Sequence, residues 1–93
     1  MEVIHKYQIP IEDEFIIGME RGAKILCFQK QRQNYCIWAI VNPRLPLESR
    51  SFRIVGTGIP YEKIEGKYIG TVQNLDDTLV WHLFEINKRR RHA

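Results

Sequence analysis

The residues best suited to chemistry gather in the last third of the chain. Gly56-Thr57-Gly58 follows a β-type run, with Arg53 just before it and Lys67 and Tyr68 beyond. A Gly-X-Gly at a strand end can turn backbone N–H groups toward an anion, because glycine tolerates the tight conformations this needs. The arginine and lysine would add charge, and the threonine a hydroxyl. Trp81 and His82 complete the group: an indole offers a stacking surface, and an imidazole changes charge near neutral pH. The expected ligand-binding residues are therefore Arg53, Thr57, Lys67, Tyr68, Trp81 and His82. The spacing fits neither a P-loop nor a dinucleotide fingerprint, since no helix follows the glycines. The plain structural role of such a Gly-X-Gly is a bulge or tight turn.

Catalysis has little behind it. The carboxylates Glu12, Asp13, Glu14, Asp76 and Asp77 fall in expected loops, where acids are solvated unless the fold makes a cleft. Ser49 and Ser51 flank Arg50 without any nucleophile signature. His5, Cys27, Cys36 and His82 are scattered, with no metal-ligand spacing, so neither a metal nor a cofactor is expected. His82 alternates with Val80, Phe84 and Ile86, and His5 with Val3, Tyr7 and Ile9. Both read as packed core histidines, unless one of these rows lines a pocket. His92 belongs to the tail.

Charge separates the tail from the body. Of the fourteen Lys and Arg residues, four are Lys88, Arg89, Arg90 and Arg91, leaving ten basic against eleven acidic side chains in residues 1–87. The formal +3 thus resides in the tail, and the body is near neutral. A basic tail attracts polyanions, although a short terminal cluster is ordinarily just solvated and disordered. The alternative function is accordingly nucleic-acid binding, through Arg50 and the tail residues Lys88, Arg89, Arg90 and Arg91. Phe52, Arg53 and Tyr68 would supply a stacking track. A near-neutral body weakens phosphate attraction.

The elements that must position these groups are short. Hydrophobic content of 44% and charged content of 27% indicate an ordinary globular chain. The longest apolar run, residues 36–41, has strand length, far short of the roughly 20 residues of a membrane helix. Nothing at Met1–Lys6 resembles a signal peptide. A cytoplasmic protein with no membrane partner is expected, with Cys27 and Cys36 as free thiols.

Alternation marks a strand over residues 2–9, ended by Pro10, and β-branched character returns at Phe15–Ile17. Gly22 marks a turn. Lys24–Lys30 and Tyr35–Val41 form a hairpin whose two-residue loop is either Gln31-Arg32 or Gln33-Asn34. Its second arm is apolar on both faces, which calls for cover by a second sheet or a partner chain. The loop from Asn42 runs without pattern to residue 49. Strands follow at Arg50–Thr57, Lys67–Gln73 and Leu79–Ile86, with one helical turn at most near Pro60–Glu65 and a turn at Asn74–Asp77. The fold class is all-β: a small sandwich or barrel of six to seven mostly antiparallel short strands, with little helix. One domain spans 1–87 and the tail 88–93. Open sheet edges and the two-sided arm around Trp38 make a symmetric homodimer a simple way to hide apolar surface.

The runs Phe52-Arg-Ile-Val-Gly-Thr-Gly58, Gly66-Lys-Tyr-Ile-Gly-Thr-Val72 and Val80-Trp-His-Leu-Phe-Glu85 resemble a family of small phage- and prophage-encoded proteins, a domain of unknown function. The likeness extends forward through Gly22–Leu26 and Trp38–Val41 and leaves the basic tail outside. It implies a phage accessory gene and transfers no catalytic residue. The expected function is a non-enzymatic accessory binding protein, in concrete form a counter-defence factor. It would sequester a host protein or a small anionic nucleotide signal in the host cytoplasm.

Overall fold

The computed structural model describes residues 1–60, 66–74 and 78–86. They form seven strands: β1 (Val3–Ile9), β2 (Glu14–Glu20), β3 (Lys24–Gln31), β4 (Asn34–Val41), β5 (Leu47–Gly56), β6 (Gly66–Gln73) and β7 (Val80–Ile86). All pairings are antiparallel, in a three-stranded sheet of order β1-β4-β3 and a four-stranded sheet of order β2-β5-β7-β6. The architecture is sandwich-like and not a closed barrel. The expected helical turn at 60–65 and most of the Asn74–Asp77 turn lie outside the described residues, as does the tail 88–93.

Alternation builds the core. Successive side chains of a strand point to opposite faces, so one row per strand can be buried. Ile37, Ala39 and Val41 of β4 meet Phe15 and Met19 of β2, Phe52 and Ile54 of β5, and Leu83 of β7, with Ile9, Ala23 and Phe28 closing the cluster. Phe15 and Phe52 lie opposite each other in the ladder and stack, with ring centroids 5.5 Å apart. Each large apolar side chain hidden this way contributes about 1.5–3 kcal/mol, which is what holds the two sheets together.

Several boundaries differ from the sequence expectation. The β3–β4 loop is Arg32-Gln33, closed by the Gln31–Asn34 pair, so neither expected loop forms. Arg32 takes φ 57° there, a left-handed conformation that a glycine would adopt more cheaply. In this register Cys36 faces Gln29 and Cys27 faces Trp38, and both thiols are free. Strand β5 begins at Leu47 and not at Arg50, because Leu47, Glu48 and Ser49 pair with Glu20, Met19 and Gly18 of a longer β2.

The second arm of the hairpin is also covered differently than expected. One face of β4 enters the core. On the other, Cys36 is buried but Trp38 and Ile40 stay half-buried, Ile40 beside the exposed Ile4, with no second layer over them among the described residues.

The sheets meet along one side without sharing a ladder. Edge strand β3 lies against edge strand β6, and Gly70 makes the approach possible: a Cβ there would stand 3.4 Å from that of Phe28. Among the described residues the two register shifts fall on these same strands, between Ile25 and Cys27 on β3 and between Tyr68 and Gly70 on β6. A bulge of this kind bends an edge and re-aims the neighbouring side chains. On the opposite side, Tyr7 of β1 donates to Glu20 of β2 at 2.5 Å, and His5 approaches the same carboxylate at 3.6 Å.

Candidate functional site

The six residues singled out by type fall into three neighbouring places. Thr57 and His82 come together on the outer face of the four-stranded sheet. Thr57 Oγ1 lies 2.6 Å from His82 Nε2, and Thr71 Oγ1 lies 3.0 Å from Nδ1. Tyr68 extends this chain, its hydroxyl 2.5 Å from Thr71 Oγ1. The pairing of β6 with β7 explains Thr71, which stands directly opposite His82. Both imidazole nitrogens are therefore engaged, one as donor and one as acceptor if the ring is neutral, which fixes its orientation.

His82 is not the core residue its apolar row implies. The core row of β7 is Trp81, Leu83 and Glu85, and Leu83 is fully buried. Glu85 is tolerated on that side because Arg50 meets it with two parallel bonds, Nε to Oε2 at 2.7 Å and Nη2 to Oε1 at 2.9 Å. A third donor, Nη1, reaches the Ala23 carbonyl at 2.6 Å. Hydrogen bonding to Glu85, opposed by burial, holds Arg50 protonated even more firmly than a free guanidinium. Nor is His5 a packed core group: its side chain is 41% exposed and leans on Glu20.

Arg53 and Trp81 line a hollow of about 250 Å³ at the end of β5, with Ile11, Val55, Ile59 and Pro60 as apolar walls. Glu12 and Asp13 also border it, so its charge is mixed and not cationic. Gly56 lets this wall close, since a Cβ there would come within 3.3 Å of the Trp81 ring. The glycines act as expected of a turn: Gly58 has φ 84°, and Ile59 N–H bonds the Gly56 carbonyl.

Lys67 and Tyr68 line a second and larger hollow, about 380 Å³, at the β3–β6 seam. Lys24, Arg50 and Glu85 share it with Ile25, Leu26 and Ile69. Three cationic side chains thus face one carboxylate. Arg50 has five N–H donors and spends three on Glu85 and Ala23, which leaves two. Both bulges sit in this wall, Leu26 and Ile69 being the extra residues.

Sequence reasoning passed over Lys24, Thr71 and Ile69. Thr71 becomes visible only once the β6–β7 register is known. No glycine marks the β3 bulge, whereas Gly70, lying inside a strand pattern directly after Ile69, is the one local signal for the bulge on β6. Lys24 reads as an ordinary first residue of a strand.

Of the groups proposed for a nucleic-acid track, Phe52 is fully buried and Arg50 is engaged as described, whereas residues 88–91 lie outside the described residues. Among the described residues no group of three or more His, Cys, Asp or Glu side chains could hold a metal ion. No helix among them is long and apolar enough to cross a membrane.

Over residues 1–93 the chain matches the family model described as a domain of unknown function, DUF7352, and it belongs to that family. The match includes the basic tail, which the sequence likeness had left outside. No curated protein and no solved structure matches the chain.

Proposed function

We propose that this chain is a non-enzymatic binding protein that holds a small anionic ligand in the hollow at the β3–β6 seam. The observation that carries this reading is the lining of that hollow: Lys24, Arg50 and Lys67 against Glu85 alone, on strands whose bulges both open there. An anion gains from lysine charge and from the two unspent Arg50 donors, which are held in place by Glu85 before any ligand arrives. Ile25, Leu26 and Ile69 provide apolar contact for the uncharged part of the ligand. A nucleotide-like signal has this combination of charge and flat apolar surface. In its most concrete form the protein is a phage or prophage accessory factor that sequesters such a signal in the host cytoplasm, a counter-defence role. The phage part of this reading rests on the sequence likeness.

Calorimetric titration with a panel of mononucleotides, dinucleotides and cyclic dinucleotides tests it. At least one member should bind with a dissociation constant below about 100 μM at low salt. The K24A/K67A variant should weaken that binding at least about tenfold. A panel with no binder up to about 1 mM overturns the reading. So does a nucleotide that binds equally well to the double variant.

A nucleic-acid track has less to draw on. Its one exposed aromatic among the described residues is Tyr68, and Phe52 is buried in the core.

A further inference from the structure

We infer that the hollow at the end of β5 is a second, independent site, which takes a bulky apolar residue of an extended basic peptide. Four observations converge there. The walls Ile11, Val55, Ile59, Pro60 and Trp81 are apolar, and about 250 Å³ suits one large side chain better than a drug-sized ligand, which needs roughly 300 Å³ or more.

The second observation is a missing partner. Arg53 lines the hollow, and its Nε–H is buried with no hydrogen-bond acceptor, Asp13 Oδ1 standing 3.8 Å away. A buried donor left unmet forfeits its hydrogen bond to water and gains nothing in return. A carbonyl oxygen entering beside Arg53 supplies the acceptor, and a peptide backbone carries one at every residue.

Third, strand β5 outruns its neighbour. The β2 ladder ends at the Glu14–Arg53 pair, and the next bond, from Ile54 N–H, goes to the Asp13 carbonyl. Val55 and Gly56 then pair with β7, and among the described residues no strand pairs with them on the other side, where only the Gly56 carbonyl is taken, by Ile59 N–H. An extended segment can lie along such an edge, with side chains alternating into and out of the hollow.

Charge selects the kind of peptide. Glu12 and Asp13 stand at the mouth, Asp13 with 80% of its side chain exposed. Lysine or arginine beside the anchoring residue meets this acidic rim, whereas an acidic peptide is repelled by it. The seam hollow has the opposite charge preference, so the two sites are separable.

The test uses the full chain and fluorescence anisotropy with three labelled heptapeptides. One has a central leucine with two lysines on each side, one replaces those lysines by glutamate, and one replaces the leucine by glycine. The leucine–lysine peptide should bind saturably, and each of the other two at least about tenfold more weakly. Glu12→Lys, on an exposed loop where folding is not at stake, and Asp13→Lys should both weaken it. Arg53→Met and Gly56→Ala should do the same with an unchanged circular dichroism spectrum, the latter by filling the space below Trp81. K24A/K67A should bind the peptide as the parent does. No saturation by about 1 mM peptide overturns the proposal. So does equal binding of the glutamate peptide, or full affinity retained by Glu12→Lys and Arg53→Met together.

Discussion

Arg50 on β5 and Glu85 on β7 are joined by two parallel N–H···O bonds, of 2.7 and 2.9 Å, on the core side of the four-stranded sheet. Only 18% and 23% of the two side chains remain exposed, so each ion is substantially withdrawn from water. A third bond from Arg50 to the Ala23 carbonyl ties the β2–β3 turn to the same point. One guanidinium thus fastens three stretches of chain that are distant in sequence.

Removing either partner should cost more than removing both. Arg50→Met leaves a half-buried carboxylate unmet, and Glu85→Leu leaves the cation. Each should lower stability by about 2–3 kcal/mol, discounted for the solvent that still reaches the pair. The double variant should recover part of that loss. Urea unfolding of the four proteins gives the coupling energy directly, and simple additivity would sink the idea.

The Tyr7–Glu20 pair predicts a separate alkaline titration. Burial first, then the hydrogen bond and charge of Glu20, push the Tyr7 phenol from 10.0 up to about 12. Its folded value is the higher one, so the stability it contributes is complete below pH 10 and fades as pH rises through 12. Absorbance titration of tyrosinate should show one late step among the four tyrosines, absent in Tyr7→Phe. A Tyr7→Phe curve identical to the parent's would refute it.

Glu20 governs the acid side. The bond from Tyr7 lowers its carboxyl below the ordinary 4.5, helped by the nearby His5. A depressed carboxylate contributes stability above its unfolded value, which is lost as pH falls through the folded one. Thermal unfolding should therefore show the parent losing more stability than Glu20→Gln between pH 5 and the acid limit of folding. Parallel losses in the two proteins would contradict it.

Two backbone positions, Arg32 and Gly66, should respond in opposite ways to gaining and losing a glycine. At Arg32, with φ 57°, replacement by glycine relieves a left-handed conformation and should raise stability by about 0.5–1 kcal/mol, or roughly 3–6 °C in Tm. At Gly66 an added Cβ collides with the Glu85 carbonyl oxygen in the β6–β7 ladder. Gly66→Ala should cost more than about 2 kcal/mol. Differential scanning calorimetry of both variants decides the matter, a drop in Tm for Arg32→Gly or no change for Gly66→Ala being the contrary result.

The strands were legible wherever one row was to be buried. Phe52 and Ile54 on β5, and Tyr7 and Ile9 on β1, alternate with more exposed neighbours and mark their elements unaided. Legibility ended where both rows looked alike. On β7 the row Val80, His82, Phe84 and Ile86 is more apolar than Trp81, Leu83 and Glu85, yet the latter faces the core. Arg50 reverses the choice by neutralising Glu85 from another strand, and no local pattern records that. Leu47–Ser49 were invisible for a related reason: they are exposed, and only their ladder with Gly18–Glu20 makes them a strand. The candidate site was half legible. Lys67 and Tyr68 were found by type, while Lys24 joins them only because two edge strands meet.

That meeting of β3 and β6 has a mechanical consequence. The two sheets abut there without rungs between them, and a lysine stands on either bank, Lys24 on one and Lys67 on the other. An anion seated between them would act as a rivet across a joint that the backbone leaves unfastened. Occupancy would then be felt as stiffness: amide protons along both edges would exchange more slowly with solvent, and the whole sandwich would breathe less.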